Sequence, residues 1–324
     1  MLSAQTPPAL RDALERVSND FRTPDLATAA ERLSKSYRGA TLPALEKRID
    51  VVAYAVTRMP ATYGSVSACL REAGDDVRSV LDLGAGTGAA AWAVRERWPD
   101  LDTLTLVERN QAMSALGAEL DAPGASWRGG DIRNLAGIAP HDLVVFSYSL
   151  GELSERDAEA ALGSAWDRAT KALLIVEPGT PVGAARVQFA RRRLLDLGAT
   201  LAAPCPHDNA CPLADPDWCH FAVRLDRTRL HRQIKGGDLG YEDEKFSYVL
   251  ATRPGVGPDK ADARVIRHPQ VLKGHIQLEL CAQDGLRALT AVKRDKSQYR
   301  RARKASWGSR WSLAPDERTG EVYE

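Results

Sequence analysis

The stretch Leu81-Asp82-Leu83-Gly84-Ala85-Gly86-Thr87-Gly88 constrains the fold of this chain more than any other part of it. A short apolar run predicts a strand, and glycines at alternate positions predict a tight turn leading into a helix. Gly84 and Gly86 allow the backbone to approach a ligand closely, and Gly88 allows the helix to pack against the strand. Similar apolar runs recur downstream, at Thr103-Leu104-Thr105-Leu106-Val107, Asp142-Leu143-Val144-Val145-Phe146 and Ala172-Leu173-Leu174-Ile175-Val176, separated by longer amphipathic stretches. Strands alternating with helices predict an α/β fold whose parallel sheet is covered on both faces.

A chain of 324 residues suits such a domain with additions at both ends. The predicted organisation is a helical region over 1–75, the cofactor-type domain over 76–200, and a cysteine-bearing, strand-containing, basic part over 201–324. The helical region rests on spacings such as Leu10, Leu14 and Val17, or Leu45, Ile49 and Val52. Later strands are expected at Phe246–Thr252, Ile276–Cys281 and Leu286–Val292, the last two joined by the hairpin signal Ala282-Gln283-Asp284-Gly285. With 44 basic and 43 acidic side chains the net charge is only +1, so overall charge selects neither nucleic acid nor membrane. No run of apolar residues is long enough to span a bilayer, and Met1–Pro8 lacks the basic start and apolar run of a signal peptide. The chain is expected to be soluble, intracellular and monomeric, with no membrane partner.

Glu108, ending the second strand 24 residues after Gly84, is positioned to accept hydrogen bonds from both hydroxyls of a ribose. Asp131, in Gly129-Gly130-Asp131-Ile132, is positioned for an adenine amino group, and Ser147 closes the next strand. A pyrophosphate-binding loop for nicotinamide or flavin usually reads G-x-G-x-x-G, whereas this one reads G-x-G-x-G with Asp82 two residues before it. The pattern resembles class I S-adenosylmethionine-dependent methyltransferases, in which Asp82 would help to hold the methionine part. Methyl transfer needs chiefly in-line positioning of the acceptor, so few side chains need be catalytic; Tyr148 and Glu152 are the candidates. The Asn/Asp-Pro-Pro-aromatic motif of enzymes methylating base amino groups is absent from Ser147–Leu153.

Cys205, Cys211 and Cys219 fall within fifteen residues, in Cys205-Pro206-His207, Cys211-Pro212-Leu213 and Trp218-Cys219-His220. Packing gives a cysteine no reason to have others nearby, so the three read as soft ligands of a metal centre. Zinc sites usually pair ligands two to four residues apart; gaps of 6 and 8 favour an iron–sulfur cluster, with zinc the alternative. Cys281 lies on an expected strand and by itself reads as core, as does Cys69.

Three basic stretches surround the cysteines. Arg191-Arg192-Arg193 precedes them, Arg224, Arg227, Arg229, Arg232 and Lys235 follow, and Lys293 to Arg310 carries eight basic residues, among them Arg300, Arg301, Arg303 and Lys304, against the single acidic Asp295. Each alone reads as a solvated helix face. Together, interleaved with Tyr299 and Trp307, they point to an RNA phosphate backbone.

These segments, with Arg58–Tyr63, Ile175–Gly179, Lys245–Tyr248 and Arg303–Gly308, resemble the methyltransferase-like family of small-ribosomal-subunit assembly factors of bacteria and mitochondria. The resemblance implies a Rossmann-like sheet that binds S-adenosyl-L-methionine, and a 4Fe-4S cluster held by Cys205, Cys211, Cys219 and Cys281. It also implies association with the small subunit through its rRNA, either as a methyltransferase or as a non-catalytic assembly factor whose cofactor and cluster are structural or sensory. The expected location is the cytoplasm for a bacterial source, or the mitochondrial matrix for an organelle-containing one, although no transit peptide is seen.

Overall fold

The computed structural model describes residues 2–38, 45–213 and 215–313. The chain begins with β1 (Leu2–Ala4) and three helices, α1 (Pro8–Ser18), α2 (Thr23–Arg38) and α3 (Arg48–Leu70). Next come β2 (Ser79–Leu83), α4 (Ala89–Arg97), β3 (Thr103–Glu108), α5 (Gln111–Leu120), β4 (Ala125–Gly129) and β5 (His141–Ser147). A 3-10 turn (Leu150–Glu152) leads to α6 (Glu155–Arg168), β6 (Ala169–Pro178) and α7 (Pro181–Asp196). Four elements then return to the same sheet or its flank: β7 (Thr200–Ala203), β8 (Phe221–Asp226), α8 (Arg229–Lys235) and β9 (Tyr241–Thr252). A second sheet and its helix complete the described chain: β10 (Ala263–Val265), β11 (Gln270–Leu272), β12 (His275–Ala282), β13 (Gly285–Val292), α9 (Lys296–Lys304) and β14 (Arg310–Trp311).

The main sheet runs β1-β8-β9-β6-β5-β2-β3-β4, with β7 also paired to β9. From β4 to β6 the strands are parallel, and β9 lies antiparallel between β6 and β8. The central strands are apolar on both faces because helices cover both. Leu81, Leu83, Val144, Phe146, Leu173 and Ile175 join one core with α6 and α7. Their alternating neighbours Val80, Leu104, Leu106, Leu143, Val145 and Leu174 join another with α3 and α4. This is the period of two that a strand imposes. Val52, Met59, Tyr63 and Val66 of α3 share that second core, so the N-terminal helices are built onto the sheet. Cys69 is fully buried there, a small apolar side chain as its surroundings require.

β2 pairs with β3 on one side and β5 on the other. The connections therefore leave in opposite directions, and a crevice opens beyond the carboxyl ends of these strands. Gly84, Glu108 and Ser147 all stand there. The expected hairpin is present as β12 and β13, with Ala282 opposite Gly285. The buried Arg264 of β10 reaches Glu72, just past α3, at 2.6 Å and so ties the second sheet to the main body. No helix among the described residues is long and apolar enough to cross a membrane.

Candidate functional site

The crevice is a cleft with about 860 Å³ of empty space, part of it open to solvent. Gly84, Gly86, Glu108, Asp131, Ser147, Tyr148 and Glu152 line it together. The loop is shaped by its glycines: Gly84, Gly86 and Gly88 all have positive φ. Gly84 and Ala85 donate to the carbonyl of Val107 at 2.9 and 3.1 Å, which draws the turn over the end of β3. Glu108 accepts from the amides of Gly86 at 2.8 Å and Asn110 at 2.7 Å, one on each carboxylate oxygen. Each oxygen keeps a second lone pair. Gly88 stands outside the cleft, where it caps α4; a side chain there would meet the Trp127 ring.

Asp82 lies beneath the loop, fully buried, and neither of its carboxylate oxygens has a hydrogen-bond partner. Burial, and then the Glu108 charge, pushes its pKa up to about 7. Asp131 behaves in the opposite way. Its hydrogen bonds from the Arg133 side chain and amide hold its pKa down at about 2, so it is an anion on the cleft wall.

The two catalytic candidates are held differently. Tyr148 has φ 58°, and its hydroxyl lies 3.1 Å from Ser65 Oγ and 3.0 Å from Glu244 Oε1, so it bridges the strand end to α3 and β9. Glu152 is bonded by Arg109 at 3.1 Å across the mouth of the cleft, and burial raises its pKa. Glu177, at the end of β6, is 1% exposed and accepts from the Gly151 amide at 3.3 Å, which fixes the turn that carries Glu152. Sequence reasoning missed Leu45, Tyr54, Asn110, Met113 and Ser149, which also line the cleft. Asn110 had a local signal, since it caps α5 directly after Glu108-Arg109; Tyr54 had none.

A second recess, of about 530 Å³ and partly open to solvent, is lined by Cys205, Cys211, Cys219 and Cys281 together. All four thiols are free. Cys281 comes from β12, and its sulfur is 3.6 Å from His207 Nε2. Burial, and then Cys205 and Cys211, pushes the Cys281 thiol up to about 12, while burial and the other three cysteines push Cys219 well above the usual thiol range. Among the described residues no group of three or more His, Cys, Asp or Glu side chains gathers as one metal ion would require.

The basic stretches divide. Arg192 is exposed, but Arg191 is 2% exposed and lines the cysteine recess, so the expectation that it meets RNA is corrected: it has no solvent face to offer. Arg224 is bonded to Asp243 at 2.7 Å and Arg227 to Glu242 at 2.7 Å, because β9 carries its acidic residues opposite β8. On α9, Arg300, Arg303 and Lys304 are exposed, whereas Arg301 stacks over Trp311. Trp307 is not a stacking surface for RNA: it is buried against His220 and His268.

A parallel sheet with one antiparallel strand near its edge, a glycine loop after the first central strand and an acidic residue ending the next define a class I methyltransferase-like fold. The chain belongs to the family described as "Mitochondrial small ribosomal subunit Rsm22", which matches residues 48–312. It is 28% identical to the human "Ribosome assembly protein METTL17, mitochondrial", over 89% of this chain and 70% of that protein. It is 26% identical to the Schizosaccharomyces pombe "Rsm22-cox11 tandem protein 2, mitochondrial", over 93% of this chain but only 48% of that protein's length. Among solved structures, the magnesium protoporphyrin IX methyltransferase of Synechocystis with bound SAM is 12% identical with a TM-score of 0.41, covering 71% of this chain and 97% of that one. Both named relatives are mitochondrial, so the comparisons lend nothing to a cytoplasmic location.

Proposed function

We propose that this protein binds S-adenosyl-L-methionine and the RNA of a small ribosomal subunit during its assembly, and that four cysteines hold an iron–sulfur cluster beside the RNA-binding surface. One observation carries the cofactor reading: the buried, unpartnered carboxylate of Asp82 beneath a glycine loop. A buried carboxylate without a partner is costly, and a cationic methionine moiety meets that need. Glu108 and Asp131 would take the ribose and the adenine amino group, and Ser147 would bound the cleft. In this reading Arg109 and Glu152 close the mouth against water.

The soft donor set of Cys205, Cys211, Cys219 and Cys281, which line one recess, fits a cluster, with zinc the alternative. When bound, the cluster would supply a covalent cross-link between the segment around β8 and the second sheet, together with a one-electron centre. The named relatives support the ribosomal partner, and the site of action is the compartment in which that subunit is built.

Methyl transfer to rRNA or to a ribosomal protein is the activity proposed for the cleft. A second reading, binding without turnover, is favoured by Tyr148, whose hydroxyl is already engaged by Ser65 and Glu244 at the strand end where an acceptor must arrive. Labelled S-adenosylmethionine incubated with isolated small subunits separates the two. Label transferred by the wild type and lost in Gly86→Arg supports the enzyme; cofactor binding without label transfer, with assembly rescued by Gly86→Arg, supports the non-catalytic factor. Failure to bind the cofactor at all would sink both.

A further inference from the structure

Arg191 is the least expected side chain in the cysteine recess. It stands on α7, 2% exposed, and lines the recess together with all four cysteines. Its guanidinium donates to the carbonyls of His207, at 3.3 Å, and Asn209, and its Nε has no partner. No carboxylate among the described residues pairs with it. The second buried guanidinium there, Arg264, differs: Glu72 meets its charge at 2.6 and 3.1 Å, and the Pro204 and Gly308 carbonyls take further donors. Arg191 is therefore an uncompensated buried cation, which should not persist without an anion.

Four thiolates around a doubly positive core carry a net charge of about −2, whether the core is a zinc ion or a cubane of iron and sulfide. That anion belongs in the space Arg191 faces. We propose that Arg191 is the built-in counter-charge of the four-cysteine centre, holding the assembled metal–thiolate group in a recess that would otherwise reject its charge. The proposal rests on reading Cys205, Cys211, Cys219 and Cys281 as metal ligands. It also explains why α7 carries Arg191 inward: the carbonyls of His207 and Asn209, between Cys205 and Cys211, both accept from its Nη2 and fix the loop that presents both thiols.

The test uses the full chain, purified without oxygen as wild type, Arg191→Gln and Arg191→Lys. Iron, sulfide and zinc are measured per chain, then the rate of metal loss to excess EDTA. Removing a partner that supports metal ligands typically costs about 10- to 100-fold in metal affinity, and a faster release of that order is expected for the glutamine variant. The lysine variant keeps the charge and should stay within a few-fold of wild type. S-adenosylmethionine affinity, read on the same samples at a cleft Arg191 does not line, reports whether each variant is folded. Release from Arg191→Gln as slow as from wild type overturns the counter-charge with the metal site intact. So does a folded lysine variant that loses metal as fast as the glutamine variant. If Arg191→Gln does not fold, the lysine variant is read against wild type: release within a few-fold supports the counter-charge, and release about 10-fold faster or more overturns it. A wild type without iron or zinc overturns the metal reading itself, and the proposal with it.

Discussion

A methyl group added at Gly84 would lie 2.5 Å from Ser149 Cβ, whereas one added at Gly86 would meet only the Met113 methyl at 3.4 Å. Both glycines sit at positive φ, so alanine costs about 1 kcal/mol or more at either. Ser149 cannot yield, because it is buried and its hydroxyl donates to the Leu83 carbonyl at 2.7 Å. Overpacking adds about 1–3 kcal/mol. Gly84→Ala should therefore lower the urea midpoint clearly more than Gly86→Ala; equal losses would mean that the Ser149 contact carries no weight. Asp82 offers a test by pH. Its pKa in the fold is about 7 against an ordinary 3.8, so the folded chain holds a proton that the unfolded chain releases as pH rises above about 4. The penalty grows from there and is complete above pH 7. Asp82→Asn should thus stabilise the cofactor-free protein more at pH 8 than at pH 5, by about 3 kcal/mol at one pKa unit per 1.36 kcal/mol, while weakening cofactor binding. Thermal unfolding at the two pH values checks this, and a gain independent of pH would show that Asp82 is not the group responsible.

Between elements, the ion pair of Arg264 and Glu72 is the most exposed to a single change. Arg264 is 1% exposed on β10, and Glu72 follows α3. Removing the acid alone strands a buried guanidinium, at a cost of about 3–5 kcal/mol. Glu72→Ala should lower the unfolding midpoint strongly, and adding Arg264→Met should restore part of the loss; a double variant as unstable as the single would sink the argument. This pair also shows why some elements were legible in the sequence and others were not. β2, β3, β5 and β6 are buried on both faces, which demands apolar runs that announce themselves. β4 and β11 are mostly exposed, and β1 and β14 are two or three residues long, too little pattern for any period. At the site, Gly84, Glu108 and Asp131 were readable because each follows its strand by a fixed local rule. Tyr54 reaches the cleft from α3, and the inward Arg191 sits in a run of three arginines that reads as surface; only tertiary packing places them.

Across the whole molecule the 44 basic and 43 acidic residues nearly cancel, so the proposed affinity for RNA would have to come from where cations are left unpaired. The β8 arginines are spent on β9: Asp243 and Glu242 take Arg224 and Arg227, and Glu242 also takes Lys235. On α9, Arg300, Arg303 and Lys304 are exposed with no acidic partner among the described residues, and they lie on the segment that follows the β12–β13 hairpin carrying Cys281. If the proposed RNA surface is α9, each of these contacts releases roughly 0.7–0.9 of a counterion. Replacing all three by alanine should then reduce the slope of log affinity against log salt by about 2–3, measured by filter binding to small-subunit RNA over a salt series. Arg224→Ala should leave that slope unchanged, because its charge is already met by Asp243. A triple α9 variant with the wild-type slope would move the RNA surface off this helix, and a fall in slope for Arg224→Ala would mean that binding opens the β8–β9 pairs to release their arginines.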